Sequence, residues 1–261
     1  LMARILITND DGISSLGLHA VAIALHEAGH EVLAVAPSGE RSGWGAGVGT
    51  LDNGSEFSVE QFEIPSYERI SAWGVDGPPA FCVLTAMLET FGKRPELVIS
   101  GSNDGANCGR GILHSGTVGG AMIAQNFGLS GIALSQKRTP REMIWETSGE
   151  VAVAAVNWIL EAPRKTVLNI NIPNRTIDEV KGVRIARIAA FGTTQTSLTG
   201  TVPGNLRIKV SPRDVDLASD TDTALLDEGF ITVTGLIGYR SENEQCRDVA
   251  ESIERYANRL S

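Results

Sequence analysis

Apolar positions fall into short solid runs along the first two thirds of the chain, each followed by a stretch where they recur every three or four residues. RILIT (4–8) is the first run. Val21, Ala24, Leu25 and Ala28 then repeat at helical spacing until Gly29. EVLAVAP (31–37) is a second strand pattern, closed by proline. Residues 38–66 are rich in Gly and Ser and read as loop with a hairpin, and ERISAWGV (68–75) reads as another strand. Pro78 and Pro79 open a helix whose apolar face runs through Ala80, Val83, Leu84, Met87, Leu88 and Phe91. ELVIS (96–100), GIALS (131–135) and VLNINIP (167–173) are further strands, separated by helices from about Thr117 and over 142–160. Strands alternating with helices imply right-handed crossovers and an α/β fold built on a doubly wound, mostly parallel sheet in three α/β/α layers.

The pattern changes after residue 180. VRIARIA, LRIKVSP and GFITVTGL read as β elements, and Val249, Ile253, Tyr256 and Leu260 form one stripe of a terminal amphipathic helix. The expected division is a core over 1–180 and a β-rich and helical extension over 181–261. The terminal helix either docks on its own domain or meets a second copy of the chain.

Composition narrows the function. The 261 residues are 42% hydrophobic and carry a formal net charge of −9. An acidic surface argues against broad electrostatic binding of nucleic acid, and it would repel an anionic substrate unless a cation intervened. No apolar run has membrane-spanning length, and no signal-peptide pattern precedes the first strand. The three cysteines, Cys82, Cys108 and Cys246, are scattered, as reduced thiols in a cytoplasm would be.

Doubly wound sheets bind ligands beyond the carboxyl ends of their strands. Three loops lie there: Asn9–Gly12, Ser38–Gly43 and Ser100–Gly109. The first holds Asp10 and Asp11 side by side. Asp-Asp-Gly is ordinary turn chemistry, and an Asp can cap a helix. Two charges about 4 Å apart at an effective dielectric near 20, however, repel by roughly 4 kcal/mol. Such a pair shares a proton, faces water or binds a cation, and the motif alone leaves these open. A dinucleotide site fits worse, because the first turn lacks G-x-G-x-x-G and no P-loop lysine motif exists. The other loops supply Ser38, Arg41 and Ser42, then Asn103 and Asn107 among glycines such as Gly105. Neutral oxygens of this kind complete a shell for Mg²⁺ or Mn²⁺ without adding charge. Backbone amides of the glycines, and the helix opened by Ser115, Gly116, Thr117 and Val118, suit a phosphate.

ILITNDDGI, VAPSGERSG, LVISGSNDGANCG, HSGTVGGAM, LNINIPN and TDTALLDEGFITVTGL occur in this order across nearly the whole chain. Together they resemble the SurE family of survival-protein phosphatases. The resemblance implies a Rossmann-like core, one divalent cation held by Asp10, Asp11, Ser42 and Asn103, and hydrolysis of nucleoside 5′- and 3′-monophosphates. It also implies a homodimer or homotetramer assembled through C-terminal segments. Asn9 and Ser115–Thr117 match the phosphate-facing parts. The sequence departs from the family at Ser15-Leu16-Gly17, where Ala-Pro-Gly is usual, at His114, where tyrosine is usual, and at Ile123, where an acidic residue is usual.

The expected site therefore comprises Asp10 and Asp11 as ligands and catalytic residues, with Asn9 beside them. Ser42 and Asn103 complete the metal set, and Asn9, Ser42, Gly105, Asn107, Ser115, Gly116 and Thr117 face the phosphate. The spacing is not the Asp-x-Asp of haloacid-dehalogenase phosphatases, which favours attack by water over attack by an aspartate. Alternative readings are a phosphatase of other esters or polyphosphate, or a nucleotide-binding regulator without turnover. His114 is a candidate leaving-group acid. His19, His26 and His30 read as surface residues, Cys108 as a packing residue, and Trp44 and Phe191 as loop or core packing with a stacking role as the second choice.

Overall fold

The computed structural model describes residues 2–191, 194–202, 205–212 and 216–238. Its centre is a nine-stranded sheet. In chain order the strands are β1 (Arg4–Thr8), β2 (Glu31–Pro37), β3 (Val59–Phe62), β4 (Ser71–Val75), β5 (Leu97–Asp104), β6 (Ser130–Gln136), β7 (Val167–Ile172), β8 (Val183–Ile185) and β11 (Ile231–Leu236). The spatial order is β3-β4-β2-β1-β5-β6-β7-β11-β8, while β9 (Thr194–Val202) and β10 (Asn205–Pro212) form a separate antiparallel pair. From β4 to β7 every neighbouring pair is parallel. The expected doubly wound α/β architecture is thus observed, with its switch point at β1, where the order turns from β2 on one side to β5 on the other.

Helices α1 (Leu16–Glu27) and α4 (Trp145–Ile159) pack together against one face of the sheet; α2 (Pro79–Met87) and α3 (Gly116–Ile123) cover the other. The strands are solid apolar runs because both of their faces are covered. Ile5 and Ile7 of β1 join Leu18, Val21 and Leu25 in the first layer, and Leu6 joins Leu33, Phe81 and Val83 in the second. Each such fully buried aliphatic side chain contributes about 1.5–3 kcal/mol. Helix α2 ends at Met87, short of the expected face through Phe91. Leu88 caps it 68% exposed, and Glu89 takes a positive φ of 61°.

The sheet does not stop at residue 180. β11 runs antiparallel to β7, and β8 pairs parallel to β11 at the edge. Helix α5 (Asp222–Glu228) leads into β11. Its first residue, Asp222, is fully buried and ties three segments together. Its carboxylate accepts hydrogen bonds from the amides of Gly109 (2.9 Å), Ala189 (3.0 Å) and Thr223 (2.8 Å). The stripe Val249, Ile253, Tyr256 and Leu260, like Cys246, lies outside the described residues. Among the described residues no helix is long and apolar enough to cross a membrane.

Asp222→Ala strands these three buried N–H groups. The expected loss is about 3 kcal/mol or more, read as a lowered midpoint in urea denaturation. An unchanged midpoint would show that the later elements are not tied to the core through this carboxylate.

Candidate active site

Strand β1 delivers its carboxyl end into a turn that Asn9 closes on itself. Asn9 is fully buried. Its Oδ1 accepts from the Gly12 amide (3.1 Å), while its Nδ2 donates to the Gly12 carbonyl (3.1 Å) and to Ser15 Oγ (2.7 Å). Ser15 Oγ in turn caps α1 at the Leu18 amide (3.2 Å). The chain thus leaves the strand and enters the helix within a few residues, and Asp10 and Asp11 have little freedom to swing into water. Gly12, at φ 104°, packs its Cα against Gly39 at a distance that leaves a Cβ little room.

Asp10 is 3% exposed and points at the first turn of α3. Its Oδ1 accepts from the Thr117 hydroxyl. A Cβ on Gly116 would stand 2.8 Å from Asp10 Oδ2, so glycine there is a steric requirement of the carboxylate. Burial pushes the Asp10 carboxyl above its ordinary pKa, and hydrogen bonds from Thr117 partly offset that. Asp11 is pushed up to about 6, chiefly by burial and then by the charges of Asp10, Glu40 and Asp104, against the pull of the Asp104 amide that donates to it (3.2 Å).

The second loop folds back over this pair. The Arg41 amide donates to the Asp10 carbonyl (2.7 Å), which sets Ser42 next to the aspartates. The Ser42 hydroxyl and amide both donate to Glu40 Oε1, leaving the hydroxyl oxygen's lone pairs free to face a cation. In the third loop β5 gains a residue relative to β6 between Ser100 and Asn103, a bulge that re-aims Asn103. Gly101 sits in it at φ 133°, and a Cβ there would lie 2.1 Å from the Leu134 carbonyl oxygen. Asn103 Nδ2 donates to the Gly105 carbonyl (2.6 Å), which fixes the amide; its Oδ1 takes no hydrogen bond among the described residues.

Strands β2, β1 and β5 are neighbours, so three loops from distant parts of the sequence meet at one end of the sheet. The structure brings Asp10, Asp11, Ser42 and Asn103 to this mouth, with the N-terminus of α3 beside them. Several expected phosphate contacts are already committed. Asn9 spends its amide within its own turn. The Gly105 N–H donates to the carbonyls of Gln136 (2.9 Å) and Asn103 (3.1 Å). Asn107 donates through Nδ2 to Ser135 Oγ (2.8 Å) and through its backbone amide to Asn171 Oδ1 (2.8 Å). Ser115 caps α3 by accepting from the Val118 amide (3.1 Å). As placed, these residues brace the loops, and the first turn of α3 is turned toward the Asp10 carboxylate, to which Thr117 donates from its hydroxyl and its backbone amide.

Other expectations need correction. His19 and His30 are buried, not surface residues. His19 Nε2 meets the Ile13 carbonyl (2.8 Å), and His30 Nδ1 accepts from the Ala3 amide (3.3 Å). Of the two packing positions expected for Trp44 and Phe191, loop or core, the structure shows the loop: Trp44 is 51% exposed and Phe191 45%. Cys108 is buried as expected. His114 is exposed, its carbonyl accepting from the Gly45 amide (3.1 Å). Sequence reasoning missed a buried amide network beneath the site. Gln136 Oε1 accepts from Ser148 Oγ (2.5 Å), which meets Ser102 Oγ (2.9 Å). Gln136 Nε2 donates to Asn174 Oδ1 (2.9 Å). The polar residues within the apolar runs of β6 and β7 were the signal available for it.

The electrostatics define a chemical class: a doubly wound α/β protein with a desolvated acidic mouth beside a helix N-terminus. Among the described residues neither Asp10 nor Asp11 forms an ion pair, although Arg138 is near enough to feel the Asp11 charge. Arg41 is paired with Asp76 (2.6 Å) and Arg138 with Asp104 (2.8 Å). No group of three or more His, Cys, Asp or Glu side chains there is arranged to hold a metal, so any cation must draw on neutral oxygens as well as the two aspartates.

Residues 5–195 match the family described as "Survival protein SurE". The chain is 34% identical over 238 residues to the 5'/3'-nucleotidase SurE of Cronobacter sakazakii, covering 89% of each. It is 39% identical over 187 residues to the 5'-nucleotidase SurE of Nostoc sp., covering 70% of this chain and 69% of the relative. Among solved structures, the SurE protein from Aquifex aeolicus superposes with a TM-score of 0.76 at 29% identity, over 96% of this chain and 99% of that one. The chain belongs to the SurE family.

In cation-free protein the ionised Asp11 is a liability. Its folded pKa lies above the ordinary carboxylate value, so the folded state binds more protons and stability falls as pH rises from about 4 through 6. Asp11→Asn is therefore expected to raise the melting temperature of chelator-treated protein at pH 7.5, to keep part of that advantage at pH 5 and to lose it below about pH 4. A variant less stable than the parent at pH 7.5 would contradict this electrostatic account.

Proposed function

We propose that the protein is a divalent-cation-dependent phosphomonoesterase that hydrolyses nucleoside monophosphates at the 5′ or 3′ position. The observation that carries this reading is the pair Asp10 and Asp11: adjacent, desolvated, without an ion pair among the described residues, and with Asp10 against the N-terminus of α3. The donor set fits Mg²⁺ or Mn²⁺, with two carboxylates plus the neutral oxygens of Ser42 and Asn103. When bound, such a cation supplies Lewis-acid stabilisation of phosphoryl oxygens and a lowered pKa for water.

The chain's own residues do the rest. Thr117 holds Asp10 in one orientation through its hydroxyl. Glu40 orients the Ser42 hydroxyl, and the Gly105 carbonyl orients the Asn103 amide. The N-terminus of α3 lies against Asp10, and its dipole favours negative charge at the mouth. Asn9 keeps both carboxylates at the mouth by locking their turn. The nucleotidase names of the relatives point to the same chemistry and to a nucleoside leaving group.

The buried free thiols Cys82 and Cys108 suit a reducing compartment, the cytoplasm. Ile185, Leu198, Leu206, Ile208 and Val210 on β8, β9 and β10 leave apolar surface exposed, which supports assembly as a homodimer or homotetramer.

Phosphate release from AMP with Mn²⁺ or Mg²⁺ tests the reading. A chelator should abolish it, and Asp10→Asn or Asp11→Asn should lower kcat by about a thousandfold, the scale of losing electrostatic stabilisation in the transition state, with the far-ultraviolet circular dichroism unchanged. Turnover that survives the chelator, or full activity in either variant, would overturn it.

A further inference from the structure

One open cleft touches the acidic mouth and has no part in the chemistry described so far. It encloses about 510 Å³ and is lined by Asp11, Glu40 and Asp104 at the mouth, then by Leu16 on α1 and by Met143 and Trp145 at the start of α4. On the opposite side the mouth is roofed. The Gly45 amide donates to the His114 carbonyl, and a Cβ on Gly119 would lie 2.2 Å from the Gly45 carbonyl oxygen, so that loop rests directly on α3. A phosphate ester bound at the mouth would therefore find open space for its substituent on the side where Asp11 and Asp104 line the cleft, toward α1 and α4.

The far wall is built rather than draped. Asn174 is 5% exposed and holds the segment leading to α4 through four hydrogen bonds within it. Its Nδ2 reaches Thr139 Oγ1 (3.0 Å) and the carbonyls of Arg141 (3.2 Å) and Glu142 (3.0 Å), and its Oδ1 accepts from the Ile144 amide (2.9 Å). Gln136 Nε2 adds a bond to the Ile144 carbonyl (3.0 Å). Trp145 is fixed by this arrangement and by Gly17, where a Cβ would stand 2.9 Å from its ring. Trp145 is half-buried, and its indole N–H has no partner among the described residues. Leu16, 68% exposed, and Met143 flank it. This is an aromatic face with a free donor between two flexible apolar side chains, a setting that suits a flat heterocycle.

The charges select further. Glu40, Glu142 and Arg138 line the cleft, the guanidinium paired with Asp104 through two hydrogen bonds (3.0 and 2.8 Å). The amino groups and hydroxyls of a nucleoside would find acceptors in these carboxylates. We propose that this cleft is the nucleoside subsite, with the base against Trp145 between Leu16 and Met143. The inference rests on the nucleotidase reading and adds the location and character of leaving-group recognition.

The test compares kcat/KM for AMP with that for glycerol 3-phosphate, which has no base, in the presence of Mn²⁺. Trp145→Ala is expected to lower the ratio of the two about tenfold, the size of one lost base–aromatic contact, mainly through KM for AMP. Trp145→Phe should restore most of the ratio. Met143→Ala, which leaves the packing on Gly17 alone, should lower it several-fold. Separately, adenosine should quench tryptophan fluorescence of the cation-free protein, and Trp145→Phe should remove that quench. A ratio that does not move in Trp145→Ala and Met143→Ala, or a quench that persists in Trp145→Phe, overturns the subsite while leaving phosphate release standing. Release from neither ester by the parent protein overturns the nucleotidase reading itself, whereas an adenosine quench confined to Trp145 would still support the cleft.

Discussion

Two adjacent carboxylates held out of water at the end of β1 are the constraint on which the rest of the site depends. The sheet places Asp10 and Asp11 at its switch point, the Asn9 turn keeps them there, and the nearby arginines form their ion pairs with Asp76 and Asp104 instead. Burial raises both pKa values. Folding must therefore be carried by the apolar layers on either face of the sheet, which hold the strained mouth in place. A region that is costly in isolation and becomes favourable when a cation arrives is a common arrangement for a functional site.

The surroundings are shaped to that pair. Gly116 is required because Asp10 lies against it, Gly12 because the second loop closes over the turn, and Gly101 because the β5 bulge brings the chain against Leu134. Arg41 and Arg138 stand close enough to neutralise the aspartates yet are paired elsewhere, with Asp76 and Asp104. Beneath them, Gln136, Ser148, Ser102 and Asn174 form a satisfied polar network inside an otherwise apolar layer. Such networks rigidify when every member is paired. Here the rigidity is passed to the loop walls on both sides of the mouth.

Much of this was legible before the coordinates. The strands buried on both faces read as unbroken apolar runs, and the loops after β1, β2 and β5 could be located because each run stops at a cluster of Gly, Ser, Asn and Asp. What a linear pattern does not carry is the pairing of distant segments. β11 enters the sheet antiparallel to β7, and β8 follows it, through contacts between residues about sixty positions apart along the chain in the first case. Nor does composition reveal which donors are already spent. Asn9, Gly105 and Asn107 look like anion ligands in the sequence, but each satisfies a buried group of the fold. Asp222 carries as much structural weight as any residue near the site, yet looks like an ordinary helix start. His19 and His30 look exposed because histidine usually is, and they are buried because each meets one backbone group.

The claim that most needs direct observation is that one cation sits between the aspartates, Ser42 and Asn103. Anomalous diffraction from crystals grown with Mn²⁺ tests it. The account calls for a single strong peak per chain, about 2 Å from oxygens of Asp10, Asp11 and Asn103, and lost when a chelator is added. A site that stays empty at millimolar Mn²⁺, or a peak bound only by Glu40 and Asp104, would contradict it.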